Sequence, residues 1–268
     1  MNAIVKPNQL AVDRGSLSAG SAAAAPKVPW ALSFGAVILG LIGFGVYRWY
    51  QETHSFSVGL DYFENDFQVY WMRLFYAQII IIPILGMIGV PLMWFTRDKD
   101  INNLSPQIEL RRYYTMLSLV AVGSVLAVAT LGIYVEADAA WHQVTVRDTD
   151  FTPTHIGLFY FAIPLALVGL MIGFVWVHTR LPDFSHRISI PMAMMVAGPI
   201  LIMPNLGFNE WGHTFFYMEE LFAAPIHWGF VVLGWSLFAI GGFVTQCIDR
   251  MRGLLALPEA RADQGLIR

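Results

Sequence analysis

Six long apolar runs divide this chain, at residues 30–47, 72–95, 113–135, 155–178, 188–208 and 226–248. A bilayer core about 30 Å thick is crossed by about 20 residues of helix. Lipid offers no partner to backbone N–H and C=O groups, so a spanning segment must satisfy them within itself. Runs of this length and composition therefore predict transmembrane helices. Prolines inside the second, fourth and fifth runs predict kinks that neighbouring helices can absorb.

The expected fold is all-α: a polytopic integral membrane protein with about six transmembrane helices and short outer polar segments. Composition agrees, with 56% hydrophobic and only 13% charged residues, where soluble domains carry about a quarter charged. The expected organisation is a disordered cytoplasmic N-terminal tail over residues 1–29, a transmembrane helical domain over 30–248 and a cytoplasmic C-terminal tail over 249–268. The first segment is rich in Ala, Ser and Gly and lacks the apolar core of a signal peptide. At the far end of the first run, Tyr47, Trp49 and Tyr50 suit an interfacial aromatic belt.

Charge sets the expected orientation. With six spans both termini fall on one side, and that side carries 13 of the 16 Lys and Arg. The positive-inside rule makes it cytoplasmic. The opposite side holds 11 of the 19 Asp and Glu and 5 of the 7 histidines. A net charge of -3 without a basic, aromatic-interleaved stripe argues against a nucleic-acid partner. The single cysteine, Cys247, excludes an internal disulfide and a multi-cysteine metal site.

The outer histidines follow a pattern. In EADAAWHQVTVRDTDFTPTHIG, residues 136–157, Asp138 and His142 stand four apart, on one face of any helical continuation of the third run. His155 follows at the start of the fourth run, giving D-x3-H-x12-H. The connection between the fifth and sixth runs repeats it as N-x3-H-x13-H, with Asn209, His213 and His227. Imidazole with a carboxylate or amide oxygen suits copper, and ligand type alone leaves iron and zinc open. Ionisable groups near membrane depth are costly, which marks them as functional candidates. The competing reading of one such triplet is a solvated interfacial turn, and the repetition weighs against it.

Other polar groups have weaker claims. Asp148 and Asp150 read as loop charges or as partners of Arg147 or an imidazole. Glu210, Glu219 and Glu220 read as support, partner contacts or solvated charges. His54 reads as surface, and His178 and His186 as interfacial on the basic side. No nucleophile elbow, phosphate loop or dinucleotide fingerprint stands in a credible context. A haem anchor would place histidines at haem depth on facing helices, whereas these gather at outer ends.

Five stretches carry a resemblance: GLDYFENDFQVYWMRL, TRDKDINNLSPQIELRR, WHQVTVRDTDFTPTHI, TRLPDF and GPILIMPNLGFNEWGHTFFYMEELFAAPIHWGFV. Spread from about residue 45 to about 248, they resemble the C subunit of the copper membrane monooxygenases, the particulate methane and ammonia monooxygenase family. The resemblance implies two copper-ligand sets, Asp138, His142 and His155, and Asn209, His213 and His227, with a catalytic role. It implies a trimer of heterotrimers with a periplasmic copper-binding B subunit and a membrane A subunit. It further implies quinol as reductant, with O2 and a small apolar substrate (methane, ammonia or a short alkane). The location implied is a bacterial inner or intracytoplasmic membrane, with the metal sites toward the periplasm. The readings from other classes are a structural membrane subunit whose metal sites stabilise assembly, and a quinol-linked haem anchor.

Overall fold

The computed structural model describes residues 27–141, 151–201 and 219–256. Among the described residues every regular element is helical. Helix α1 is Trp30–Val58, α2 is Asn65–Phe95 and α4 is Pro153–Arg180. Helix α3 runs Pro106–Thr130, passes through a π-helical turn at Leu131–Val135, and continues as Glu136–Trp141. A short α5, Pro182–Ser185, precedes the apolar α6, Ile190–Leu201, and α7 spans Glu219–Leu255.

Among the described residues four helices are long and apolar enough to cross a membrane: α1, α2, α3 over Pro106–Tyr134, and α4. These four correspond to the first four of the about six spans that the apolar runs predict. The fifth expected run is represented by α6, twelve residues of described helix, and residues 202–218 lie outside the described part. Helix α7 covers the sixth run and continues past it to Leu255.

The helices also outrun the apolar runs that predict them. Helix α1 goes on through the polar QETHS segment, 51–55, because Gln51 and Ser55 are buried against neighbouring chain. Helix α2 begins seven residues ahead of its run, and Phe67, Trp71 and Phe75 are buried there. The expected aromatic belt is split. Trp49 faces outward, but Tyr47 and Tyr50 turn in, Tyr47 accepting from Gln78 Nε2 at 2.9 Å and Tyr50 donating to the Tyr70 carbonyl at 2.9 Å.

Helix α1 packs on α3, α2 on α4, and α3 on α7. At the α2–α4 crossing, a side chain at Gly89 would meet Ile172 Cδ1 at 2.5 Å, the close approach that small residues permit in membrane bundles. Outward faces are apolar: Leu39 is 72% and Phe238 84% exposed, as lipid or neighbouring subunits require.

Two cores result. One joins α3, α4 and α7 through Tyr113, Val177, Leu181, Phe184, Phe243 and Cys247. It lies toward the basic end of the bundle, where polar contacts tie the helices. Arg180 donates to the Met93 and Thr96 carbonyls at 3.1 and 3.0 Å, and Arg112 to the Arg180 carbonyl at 2.6 Å. His178 is part of this fastening: Nδ1 donates to the Phe174 carbonyl at 2.7 Å, and Nε2 accepts from the Ser189 N–H at 3.0 Å. Only one tautomer satisfies both contacts. The exposed His186 contacts the Asn102 side chain at 3.0 Å. The second core, Phe67, Trp71, Met72, Phe75 and Ile156, lies at the acidic end. His54 sits there between the rings of Tyr50 and Tyr70, partly buried rather than on the surface.

Candidate metal site

The acidic end brings together the close of α3 and the start of α4. Helix α4 begins on sequence logic alone. Thr152 is its N-cap, with extended backbone and a side-chain oxygen accepting from the His155 N–H at 3.1 Å. Pro153 takes the first helical position, where its missing N–H costs nothing. This cap fixes the turn that carries Thr154 and His155.

The close of α3 is less regular. The π-helical turn Leu131–Val135 adds a residue to one helical turn and so changes the direction of everything after it. A matching π-helical turn at Leu158–Ala162 follows the start of α4, and Gln68–Met72 forms a third in α2. In α4 the turn is followed closely by Pro164, which has no N–H to donate to the preceding turn. All three lie at the acidic end.

Between the redirected helices, His155 Nε2 stands 3.3 Å from Asp138 Oδ1. The imidazole is 4% exposed and the carboxylate 19%. Thr154 donates its hydroxyl to the same Oδ1 at 2.5 Å, and Thr152 and Thr154 hydroxyls are 3.2 Å apart. Behind them, Gln51 of α1 donates to the Pro153 carbonyl at 3.0 Å. The Phe159 ring lies beside the imidazole at 5.1 Å, and the buried Trp141 indole closes the same helical turn as Asp138.

The sequence pairing of Asp138 with His155, seventeen residues apart, is therefore realised in space. Asp138 lies on a helical continuation of α3, as the spacing to His142 requires, and that helix is described through Trp141. His142, Asp148 and Asp150 lie outside the described residues, as do Asn209, Glu210 and His213. His227 falls within α7, and its side chain, with those of Glu219 and Glu220, lies outside the described part. Among the described residues no third His, Cys, Asp or Glu joins the pair.

The donor chemistry fits a metal ion. Two donors about 2.0–2.1 Å from one ion at a tetrahedral angle lie about 3.3 Å apart. An imidazole nitrogen and a carboxylate oxygen at that separation, in a largely dehydrated corner, present two such donors. The types suit copper, iron or zinc alike.

Residues 20–257 match the family of the C subunit of ammonia monooxygenase/methane monooxygenase. The chain belongs to this family. It is thus a multi-pass membrane protein, and the family is that of a monooxygenase subunit. A further similarity is to NAD(P)H-quinone oxidoreductase chain 4-2 of Synechocystis sp. (strain ATCC 27184 / PCC 6803 / Kazusa). It is 31% identical over 156 residues, covering 54% of this chain and 26% of that protein. The chain spans about a quarter of that relative's length, and none of the relative's activity is carried over.

Sequence reasoning missed Thr152, Thr154, Gln51 and Gly157 as parts of this corner. The T-P-T-H run held a readable signal for the first two, since Thr before Pro is a helix start. Gln51 and Gly157 gave none, because their contact depends on α1 meeting α4.

Proposed function

We propose that this chain is the copper-binding subunit of a membrane monooxygenase that hydroxylates methane, ammonia or a short alkane with O2. The single observation that supports it is the 3.3 Å convergence of His155 Nε2 and Asp138 Oδ1 at the head of α4. His142 completes this set, and Asn209, His213 and His227 form a second. In this reading the chain has six spans, with both termini cytoplasmic and both sets toward the periplasm, which the excess of Lys and Arg at the basic end supports. The complex is a trimer of heterotrimers with a periplasmic copper-binding B subunit and a membrane A subunit, with quinol as reductant.

Copper held there supplies redox chemistry with O2. The chain's own residues hold and shape the place. His155 offers an imidazole nitrogen and Asp138 a carboxylate that offsets the ion's charge. The N-cap at Thr152 fixes the turn bearing the imidazole. Apolar spans beside the site let a nonpolar substrate partition toward it from the bilayer.

A second reading has its own support: Asp138 and His155 join α3 to α4, so metal bound there would also fasten the bundle. In that case the site stabilises assembly, while catalysis falls to the B subunit. The test is copper content, assembly and turnover of purified Asp138→Ala and His155→Ala complexes. Loss of copper and turnover in an assembled complex supports the catalytic reading. Normal turnover without that copper transfers the chemistry elsewhere, and full copper retention removes the site.

A further inference from the structure

Hydroxyl contacts among the described residues are of two kinds, local ones and ones that cross between elements, as Ser236 does to the Met194 carbonyl and Ser189 to Gln246. Within the helices, Thr115, Ser118, Ser124, Thr130, Thr179 and Thr245 donate back to the carbonyl four residues earlier. Such bonds are local and link nothing. Thr154 instead donates across to α3, to Asp138 Oδ1, sixteen residues away in sequence.

Proton counting fixes the direction of the chain behind it. An ionised carboxylate only accepts, and each hydroxyl has one proton. Thr154 spends its proton on Asp138. In the 3.2 Å contact between the two hydroxyls, Thr152 is therefore the donor. Thr152 Oγ1 in turn accepts from the His155 N–H at 3.1 Å. The result is a continuous path from the backbone of one candidate ligand to the carboxylate of the other. Thr152 and Thr154 are each 3% exposed, so bulk water does not stand in for either hydroxyl.

We infer that Thr154 is a positioning residue for metal binding, its hydroxyl holding the Asp138 carboxylate in place for an ion shared with His155. This rests on the copper-binding reading above. A carboxylate oxygen has two lone-pair directions. Thr154 takes one of Oδ1's, on the same oxygen that faces His155 Nε2. Fixing the carboxylate before binding removes part of the ordering cost. Hydrogen-bonding partners of metal ligands typically contribute about 10- to 100-fold in metal affinity.

The test uses the purified complex carrying Thr154→Val, which keeps the shape and removes the donor, and Thr154→Ser, which restores it. Thr154→Ala is the second donor-free variant should Val disturb assembly. Copper affinity is measured by competition with a chelator. The copper EPR signal of this set is isolated as the difference between wild type and Asp138→Ala. We expect Val and Ala to weaken copper binding about 10- to 100-fold and to shift the hyperfine splitting, with Ser restoring both. Wild-type affinity and splitting in Val and Ala, alongside copper loss in His155→Ala, would overturn the positioning role alone. Full copper in His155→Ala would overturn the metal reading and this role with it. A parallel loss of thermal stability in Ser and Val, without spectral change, would also overturn it.

Discussion

Gln51 of α1 donates its side-chain amide to the Pro153 carbonyl at the head of α4, 3.0 Å away and 102 residues apart in sequence. The carbonyl belongs to a first helical turn, and Gln51 is 1% exposed. This one contact sets how far α1 stands from the turn that carries His155. Gly157, one turn on, is what lets Gln51 reach: a Cβ there would meet Gln51 Nε2 at 2.7 Å and Tyr47 Cε1 at 3.0 Å.

Replacing Gly157 with Ala is expected to push Gln51 off Pro153. Overpacking of this kind costs about 1–3 kcal/mol. Gly169→Ala, in the same helix, is the control, since nothing within the chain lies within 4 Å of its added Cβ. There the gain in helix propensity favours Ala by about 0.5–1 kcal/mol. Thermal unfolding of the detergent-purified complex should show the two substitutions moving the midpoint in opposite directions. Equal shifts would mean that Gln51 is free to relocate.

The buried charge at the basic end gives an asymmetric prediction. Glu109 is 4% exposed and takes two hydrogen bonds from Arg250, at 2.8 and 3.1 Å, whereas Arg250 is 40% exposed. Removing Arg250 strands a carboxylate away from water. Breaking a buried pair in that way costs about 3–5 kcal/mol, less here because one partner is wet. Glu109→Gln leaves an arginine that water can solvate. Arg250→Ala is therefore expected to lower the unfolding midpoint more than Glu109→Gln, and the reverse order would show that Glu109 finds another cation.

Much of this architecture is legible in the sequence, and the exceptions share a physical cause. Apolar runs locate α1 to α4 because lipid imposes length and composition on a spanning segment. They fail at the helix ends, where Gln51, Ser55 and Trp71 are ordered by packing against other helices rather than by lipid. The same limit governs the site. The spacing of Asp138 and His155 points to a shared ligand role, and the geometry brings them together. The Gln51 clamp and the Thr154 bridge depend on which helix faces which, and no local pattern encodes that. His178 shows the same limit: its place at a helix end is legible in sequence, whereas the spending of both its nitrogens on backbone is not.

Acid should weaken the basic end in a defined order. Arg112 donates to Asp98 Oδ2 at 2.7 Å, and the Asp100 N–H donates to Oδ1 at 3.1 Å. The hydrogen bond from Arg112, followed by that from Asp100, holds the Asp98 carboxyl below the usual carboxylate range. A group with a depressed folded value contributes stability above its unfolded pKa of about 3.9 and loses it as pH falls through the folded value. Asp98→Asn is therefore expected to lower the midpoint at neutral pH, by the equivalent of about 1 kcal/mol or less. Its gap to wild type should close below about pH 4. A gap that does not shrink at all as pH falls below the unfolded carboxylate value would locate the effect in shape rather than charge.

Orientation can be read chemically because the native chain offers no competing thiol. Its single cysteine, Cys247, is buried in the core between α3, α4 and α7. Phe63, 68% exposed in the α1–α2 connection, marks the acidic end, and Lys99, exposed in the α2–α3 connection, marks the basic end. Phe63→Cys and Lys99→Cys are each introduced into the complex in intact cells with a permeabilised outer envelope. A membrane-impermeant maleimide is then added from outside. Under the charge-based orientation Phe63→Cys is labelled at once, and Lys99→Cys only after the inner membrane is opened. Labelling in the opposite order would invert the bundle. It would also place Asp138 and His155 on the cytoplasmic side, away from any periplasmic partner.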